Sequence, residues 1–174
     1  PGDIRNCMSA LSEREADFID LFQYRFESSD DFLAGHAIGN LLIAALKEMH
    51  GSMQDAIDIL SKWMHIQGQI LPAAQEALVL NALFEDGTIA VGESSIASHR
   101  KKIKEVLVTT TEGEEAIKSS PRVVDAIMEA DMIILGPGSL YTSILPNLMI
   151  KEIGDAIVKT DAEVVYICNI MTQL

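Results

Sequence analysis

The stretch from Asp131 to Asn147 constrains the fold of this chain more than any other. It begins with a short apolar run, Met132 to Leu135, which Gly136-Pro137-Gly138 interrupts. A run this short predicts a strand buried on both faces, as in a parallel sheet. Ser139 follows at an N-cap position, ahead of apolar residues at helical spacing. The stretch therefore predicts a strand, a glycine turn and the start of a helix.

A glycine turn of this kind is a common place for phosphate. Gly136 and Gly138 let the backbone approach a ligand without a Cβ, and a helix N-terminus supplies free N–H groups and a positive dipole. In open α/β sheets, ligands bind at this carboxyl edge of the strands. The hydroxyls of Ser139, Thr142 and Ser143 could add donors. An ordinary strand-to-helix turn with a capping serine explains the same residues equally well.

The composition excludes several classes of protein. The chain has 174 residues, of which 48% are apolar and 22% charged, and this balance indicates a globular domain with a core. Its net charge of -13 argues against a nucleic-acid partner and against anionic membranes. No apolar run approaches the roughly 20 residues of a membrane span, so we expect a cytoplasmic chain without membrane insertion. Cys7 and Cys168 lack metal-type spacing and are expected to be free thiols.

Two further polar groups are candidates for ligand contact. Asp3, Arg5 and Asn6 are predicted on a turn that leads into a helix over 9–26, where Ser12 and Glu15 would form a capping box. The cluster fits a ligand site, and it fits a capping turn with a local ion pair.

The second group stands at the start of a predicted helix that is nearly all apolar from Ala37 and therefore largely buried. Gly35, His36, Gly39 and Asn40 break helix preferences there, which indicates docking of a ligand. Tight helix packing at Gly39 with a buried, hydrogen-bonded His36 is the alternative, and a metal site at His36 is not expected.

The alternation of elements predicts the fold class. Residues 77–84 and 88–91 form a hairpin around Asp86-Gly87, and Ser120-Pro121 starts a helix. A second buried strand over 163–168 ends in the polar residues 169–173. The order of helices and strands predicts an α/β fold with a parallel sheet, in which residues 136–143 and 169–173 lie at the same edge. These segments contain no nucleophile–base pair.

Six motifs, in one order from the first residue almost to the last, carry a family resemblance. They are Pro-Gly-Asp-Ile-Arg-Asn-Cys at 1–7, Gly-His-Ala-Ile-Gly-Asn-Leu at 35–41, Glu-Asp-Gly at 85–87, Gly-Glu-Ser at 92–94, Leu-Gly-Pro-Gly-Ser-Leu-Tyr-Thr-Ser-Ile-Leu-Pro-Asn-Leu at 135–148 and Cys-Asn-Ile-Met-Thr-Gln at 168–173. With these motifs the chain resembles the YvcK family of bacterial proteins. Members are often labelled gluconeogenesis factors and are distant relatives of the CofD 2-phospho-L-lactate transferases.

The resemblance implies a Rossmann-like α/β fold, with a mostly parallel sheet flanked by helices and a β-hairpin inserted at 77–92. It also implies that the ligand is a nucleotide sugar, UDP-N-acetylglucosamine. The implied role is regulatory, in carbon metabolism, cell shape and cell-envelope synthesis, without a settled catalytic activity. Matched motif by motif, the ligand-binding residues would be Asp3, Arg5, Asn6, Gly35, His36, Asn40, Gly136, Gly138, Ser139, Thr142, Ser143, Asn169, Met171 and Thr172.

The resemblance also implies what would be missing. The family's N-terminal strand with its Gly-Gly-Gly-Thr-Gly loop and a later Asp-Asp-Gly-Gly-Ser stretch would precede Pro1, and further sequence would follow Gln173. The expected single α/β domain over 1–174 would then lack one wall of the nucleotide site. An exposed sheet edge would favour a homo-oligomer.

The alternative function is a CofD-like transferase that acts by positioning and charge stabilisation. Its one candidate cofactor is Mg²⁺ held by a carboxylate such as Asp3. The sequence leaves the reaction and any protein partners open.

Overall fold

The structure is a computed structural model that describes residues 2–27, 32–111 and 117–170. The chain divides into two compact units, Pro1–Pro72 and Ala73–Leu174. That both units belong to one α/β domain stays a prediction. In the described ranges, no helix has the length and apolar character that crossing a bilayer requires.

The first unit is helical. Its helices are α1 (Gly2–Leu11), α2 (Ala16–Gln23), α3 (Ile38–His50) and α4 (Met53–Met64). Ser52 caps α4, because its Oγ accepts a hydrogen bond from the backbone N–H of Asp55 at 3.0 Å. The apolar faces of the four helices meet in one core, whose buried members are Met8, Phe22, Ile43, Leu46, Ala56, Ile57, Leu60 and Met64.

The N-terminal helices differ from the prediction. Residues 2–11 form a helix where we expected a turn, and the helix expected over 9–26 is two helices with a break between them. Ser12 lies in that break and donates to the carbonyl of Met64 at 2.7 Å. Glu15 occupies the N-cap of α2 without a side-chain capping bond, so the predicted capping box is wrong. The Ser12 Oγ accepts from the N–H of Arg14 at 3.1 Å, whereas a capping box uses the N–H of Glu15.

Helix α3 begins at Ile38, so Gly35 and His36 precede the helix that the sequence predicts them to start, and α3 is less buried than expected. Its buried residues are Gly39, Ile43 and Leu46, which are four and three residues apart and so form a single narrow stripe along the helix. Met49 is 73% exposed. Only the stripe packs on the neighbouring helices, so an almost fully apolar sequence still leaves one face open. Trp63 on α4 is likewise 52% exposed.

The second unit is mixed. Its elements are β1 (Leu78–Phe84), β2 (Ile89–Val91), α5 (Glu93–His99), β3 (Ile103–Thr110), α6 (Pro121–Met128), β4 (Met132–Leu135), α7 (Leu145–Leu148), α8 (Lys151–Lys159) and β5 (Glu163–Tyr166). The strands form an antiparallel sheet in the order β2–β1–β3 and a parallel pair, β4–β5. The α/β fold class is confirmed, although the antiparallel sheet is the larger of the two.

The hairpin is confirmed as β1 and β2. Leu83 pairs with Ile89 and Asn81 with Val91, on either side of the Asp86-Gly87 turn. Gly87 has a φ of 83°, a left-handed conformation that glycine adopts without strain. Residues 93–96, just after the hairpin, begin α5. The core of this sheet consists of Ala82, Phe84, Ala90, Ile96 and Val106.

The parallel pair occupies the predicted positions but is not buried on both faces. Met132 pairs with Glu163 and Leu135 with Tyr166. Met132 is 51% exposed and Ile134 57%, and Val164 on β5 is 43% exposed. Hydrogen-bonded neighbours lie beside a strand, so only a second layer packed on a face could bury these side chains, and they stay exposed in the part of the chain that the structure describes.

The hydrogen bonds of the Asp86 carboxyl in the hairpin turn lead to a testable prediction about its pKa. Lys101 Nζ lies 2.7 Å from it and the Thr88 N–H donates to it at 3.0 Å, and these bonds hold the pKa of Asp86 well below its ordinary value of 3.8. Because the folded pKa is depressed, any stabilisation by the ionised carboxyl is present at neutral pH and lost as the pH falls through the folded pKa. We expect an NMR titration of the Asp86 carboxyl to give a midpoint below 3.8. Lys101→Met should raise that midpoint, and an unchanged midpoint in the variant would contradict the assigned cause.

Candidate functional site

In the first unit, the predicted residues Asp3, Arg5 and Asn6 lie on α1. Asp3 and Asn6 are exposed, and Arg5 Nη2 donates to Asn6 Oδ1 at 2.9 Å. The other guanidinium donors, Arg5 Nε and Nη1, are buried and have no hydrogen-bond partner among the described residues. A buried donor without an acceptor lowers the stability of the fold by roughly 1–3 kcal/mol, so a ligand that supplied acceptor oxygens would remove this cost.

Arg5 meets helix α3 at Gly39. A Cβ at Gly39 would lie 2.9 Å from Arg5 Cγ and 2.8 Å from the carbonyl oxygen of Phe22. The crossing of these helices therefore requires glycine, and tight packing, the alternative left open by the sequence, is what occurs at Gly39. Asn40, the next residue of α3, has a buried Oδ1 without a partner in the described ranges. Arg5 and Asn40 thus leave donors and an acceptor unsatisfied in the same unit.

Gly35 and His36 form the turn that leads into α3. Gly35 has a φ of 78° and its N–H donates to the Phe26 carbonyl at 2.8 Å, while the His36 carbonyl accepts from the Phe26 N–H at 3.0 Å. Arg25 Nη1 donates to the Gly35 carbonyl. His36 is exposed, so the alternative of a buried histidine is wrong. The backbone of both residues holds the turn, and the imidazole faces solvent.

In the second unit, the glycine turn meets the end of β5. The Ile167 N–H donates to the Leu135 carbonyl at 2.9 Å, and a Cβ at Gly136 would lie 3.1 Å from the Ile167 oxygen. Gly136 also has a φ of 92°. Glycine at this position therefore allows the two strand ends to approach each other.

Asn169 joins the same turn from the other strand. Its Nδ2 donates to the Gly138 carbonyl at 2.7 Å. The prediction that residues after β4 and after β5 lie at one edge of the parallel pair is thus confirmed for Gly138 and Asn169. The predicted site residues Met171 and Thr172 lie outside the described residues.

Ser139 is the N-cap that the sequence predicts. Its Oγ accepts from the Thr142 N–H at 3.2 Å and from the Thr142 hydroxyl at 2.7 Å. Its carbonyl accepts from the N–H groups of Ser143 and Ile144, each at 3.0 Å. The chain opens with a wide π-type turn, Leu140–Ile144, before α7. The N–H groups of Thr142, Ser143 and Ile144 already donate to Ser139. An anion at this edge would therefore have to bind backbone amides that precede Thr142.

The described residues do not form a ready-made metal centre. No group of three or more His, Cys, Asp or Glu side chains among them is placed to hold an ion. Mg²⁺ commonly takes only one or two protein carboxylates together with substrate phosphates. Asp3 is exposed in the first turn of α1. Its carboxylate could bind Mg²⁺ in that way only if phosphate oxygens of a substrate supplied further ligands.

Comparison with known proteins identifies the family. The family model described as 2-phospho-L-lactate transferase CofD matches residues 1–174. The chain belongs to the CofD family. The curated relatives include the putative gluconeogenesis factor of Streptococcus pyogenes serotype M3, 54% identical over 173 residues, and the gluconeogenesis factor of Bacillus subtilis, 48% identical over 173 residues. Each alignment covers 99% of this chain and 53% of the relative. The chain thus spans about half the length of these curated CofD-family relatives.

Solved structures show the same fold. Two crystal structures of one Bacillus halodurans protein, described in one case as a member of the UPF0052 family, match with TM-scores of 0.92 and 0.91. Both are 45% identical in sequence, and each match covers 99% of this chain and 54% of the other. The resemblance to gluconeogenesis factors and CofD proteins, first seen in six motifs, is confirmed over nearly the whole chain.

Proposed function

We propose that this CofD-family chain belongs to a cytoplasmic regulatory protein that binds a nucleotide sugar, UDP-N-acetylglucosamine. Its role would lie in carbon metabolism, cell shape and cell-envelope synthesis. Support for the metabolic part comes from relatives named gluconeogenesis factor at 48–54% identity over 173 residues. The nucleotide-sugar part is an inference from the motif resemblance and from the polar edge of the parallel pair.

One contact carries the proposal, the hydrogen bond from Asn169 to the Gly138 carbonyl at 2.7 Å. It joins two polar segments beyond the carboxyl ends of β4 and β5, the edge at which open α/β folds bind ligands. Glycine at 136 lets the two strand ends approach each other, because a Cβ there would lie 3.1 Å from the Ile167 oxygen. Amides ahead of Thr142 then supply the anion contacts of a diphosphate.

Arg5 offers a second set of donors in the first unit. The Nε and Nη1 groups are buried without partners in the described chain, and a guanidinium pairs well with phosphate or carboxylate oxygens. We assign Arg5 to the nucleotide sugar on the resemblance. Arg5→Lys, which keeps the charge and removes the planar donor geometry, should distinguish this role from a general attraction of anions.

Isothermal titration calorimetry tests the proposal directly. We expect UDP-N-acetylglucosamine to bind more tightly than UMP, because the sugar diphosphate makes the additional contacts. The Bacillus subtilis relative should be titrated in parallel. Binding by that relative but not by this chain would agree with a nucleotide site that lacks one wall within residues 1–174. Binding by neither would contradict the proposed ligand.

Ser139→Ala should weaken that binding by roughly 1–3 kcal/mol if the hydroxyl donates to the ligand. The same change removes a helix cap, which by itself costs about 0.5–2 kcal/mol of stability. Thermal unfolding of each variant therefore accompanies the calorimetry. Ser139→Thr keeps the hydroxyl and should bind almost normally, and Ser98→Ala on α5 is the control for an unrelated serine. Unchanged affinity in Ser139→Ala would remove Ser139 from the site.

A CofD-like transferase is the second candidate, because the matching family model carries that description over residues 1–174. Its chemistry would depend on holding a phospho-donor and an acceptor in line and on neutralising charge. Mg²⁺ would be held by Asp3 only together with substrate oxygens. An assay for transfer from a phosphorylated nucleotide donor in the presence of Mg²⁺ tests it. Sustained turnover would replace the regulatory assignment with an enzymatic one.

A further inference from the structure

The turn between β1 and β2 contains a dipeptide that is chemically labile in unstructured peptides. Among the aspartates and asparagines of the chain, Asp86 alone is followed by glycine. The backbone nitrogen of Gly87 can approach Asp86 Cγ easily, because glycine has no Cβ in the way and a freer backbone than other residues. The side chain of Asp86 is 50% exposed, and no atom lies within 4 Å of a Cβ built at Gly87. The surrounding fold therefore offers no steric barrier to a reaction at this dipeptide.

The reaction is an isomerisation that releases one water molecule and then takes one up. The Gly87 nitrogen forms a bond to Asp86 Cγ, while the carboxyl OH and the amide proton leave together as water. Hydrolysis of the cyclic succinimide at one carbonyl restores aspartate, and hydrolysis at the other gives isoaspartate, whose main chain is one atom longer. The protonated carboxyl is the reactive form, because its OH leaves far more readily than the oxygen of a carboxylate.

Three hydrogen bonds in the turn oppose this reaction. Lys101 Nζ lies 2.7 Å from Asp86 Oδ2, and the Thr88 N–H donates to Oδ1 at 3.0 Å. Both keep the carboxyl ionised and so lower its pKa. The attacking amide is occupied as well, since the Gly87 N–H donates to the Phe84 carbonyl at 3.0 Å. Lys101 Nζ also donates to the Thr88 hydroxyl at 3.0 Å, so its ammonium is held beside the carboxylate by two partners.

We propose that Asp86 is a modification site of this chain, at which isoaspartate forms, and that Lys101 slows this reaction. Isoaspartate would lengthen the turn by one atom, between the Phe84 N–H and the Thr88 carbonyl that it bonds at 2.9 Å. The hairpin would lose that bond and with it part of the support for the core beneath β1. Lys101 is the donor that a substitution can remove, because the other two are backbone amides. This proposal is independent of nucleotide-sugar binding.

Peptide mapping after prolonged incubation at neutral pH tests the proposal. Endoproteinase Asp-N cuts before aspartate and not before isoaspartate, so uncut product of unchanged mass measures isoaspartate at residue 86. Lys101→Met should form it at least about threefold faster than the unaltered chain. At a pH above the pKa, a rise in the pKa by about 0.5 already gives roughly threefold more of the protonated carboxyl. Equal rates would overturn the role of Lys101, and faster accumulation at another residue would overturn the choice of site.

Two further lysine variants provide matched controls. Lys62→Met removes the same charge from an exposed residue of α4 in the first unit and should leave the rate at Asp86 unchanged. Lys101→Arg keeps a cation beside the carboxylate and should isomerise nearly as slowly as the unaltered chain. An acceleration in either variant equal to that in Lys101→Met would overturn the proposal.

Hydrogen exchange separates the charge of Lys101 from a loosening of the hairpin. Amides of β1 and β2 should exchange at nearly the same rates in Lys101→Met and in the unaltered chain, because an exposed ion pair contributes little to stability. If exchange accelerated as much as isomerisation, a loosened turn would be the cause and the proposed role of Lys101 would be wrong.

Discussion

Replacing Phe84 with Ala should lower the free energy of unfolding of the second unit by about 3–5 kcal/mol. Phe84 is 1% exposed at the end of β1 and lies in the core beside Ala82, Ala90 and Val106. Its ring stacks on His99 of α5, with centroids 5.1 Å apart and planes at 19°. Alanine would leave a cavity between the sheet and α5. Because β1 is paired with a strand on each side, the backbone cannot easily move to fill that cavity.

Native-state hydrogen exchange gives the measurement for Phe84→Ala. Amides of β1 and β3 should exchange faster by the factor that corresponds to the lost stability. Val91→Thr is the control, since Val91 is 59% exposed on β2 and such surface changes usually stay within about 0.5 kcal/mol. If the two variants exchanged alike, the assignment of Phe84 to the core of the second unit would be wrong.

Gly39→Ala should destabilise the first unit by an amount near the upper end of the range of about 1–3 kcal/mol for overpacking. The new methyl group would lie 2.8 Å from both the Phe22 ring and the Phe22 carbonyl oxygen, and 2.9 Å from Arg5 Cγ. A side chain could rotate away, but the carbonyl belongs to the backbone of α2. Helix α3 would therefore have to move away from α1 and α2.

Gly2→Ala provides the matched control for Gly39→Ala. No atom lies within 4 Å of a Cβ built at Gly2, so this change should be neutral or stabilising by up to about 1 kcal/mol. Trp63 is the single tryptophan of the chain and belongs to the first unit, so urea unfolding followed by its fluorescence reports on that unit. An equal denaturation midpoint in both variants would contradict the close helix crossing.

Sequence reasoning succeeded where the signal was local. The apolar run 132–135 gave the bounds of β4, Ser139 proved to be an N-cap, and Asp86-Gly87 joined two strands. Each of these features depends on a few adjacent residues whose backbone preferences or hydrogen bonds operate within one turn. The shared edge of Gly138 and Asn169 followed from a topological rule for parallel strands and not from any single residue.

Sequence reasoning failed where residues distant in the chain form contacts that compete with local ones. Ser12 was expected in a capping box with Glu15, but its hydroxyl donates to the distant Met64 carbonyl and its oxygen accepts from the Arg14 N–H. Gly39 suggested a bare surface for a ligand, and the structure fills that surface with Phe22 and Arg5. Nothing in the sequence near either residue identifies its partner. Burial of β4 failed for a related reason, because an apolar run specifies a strand without specifying what covers it.

The pairing register has a consequence for the order of folding. Leu83 and Ile89 of the hairpin are six residues apart, whereas Met132 and Glu163 of the parallel pair are 31 apart. Loop closure costs entropy in proportion to the logarithm of this separation, which makes the parallel pair harder to close by about 1.5 kcal/mol. We therefore expect the hairpin to form early, while the edge that unites Gly138 and Asn169 assembles late, after α8 has brought β5 back alongside β4.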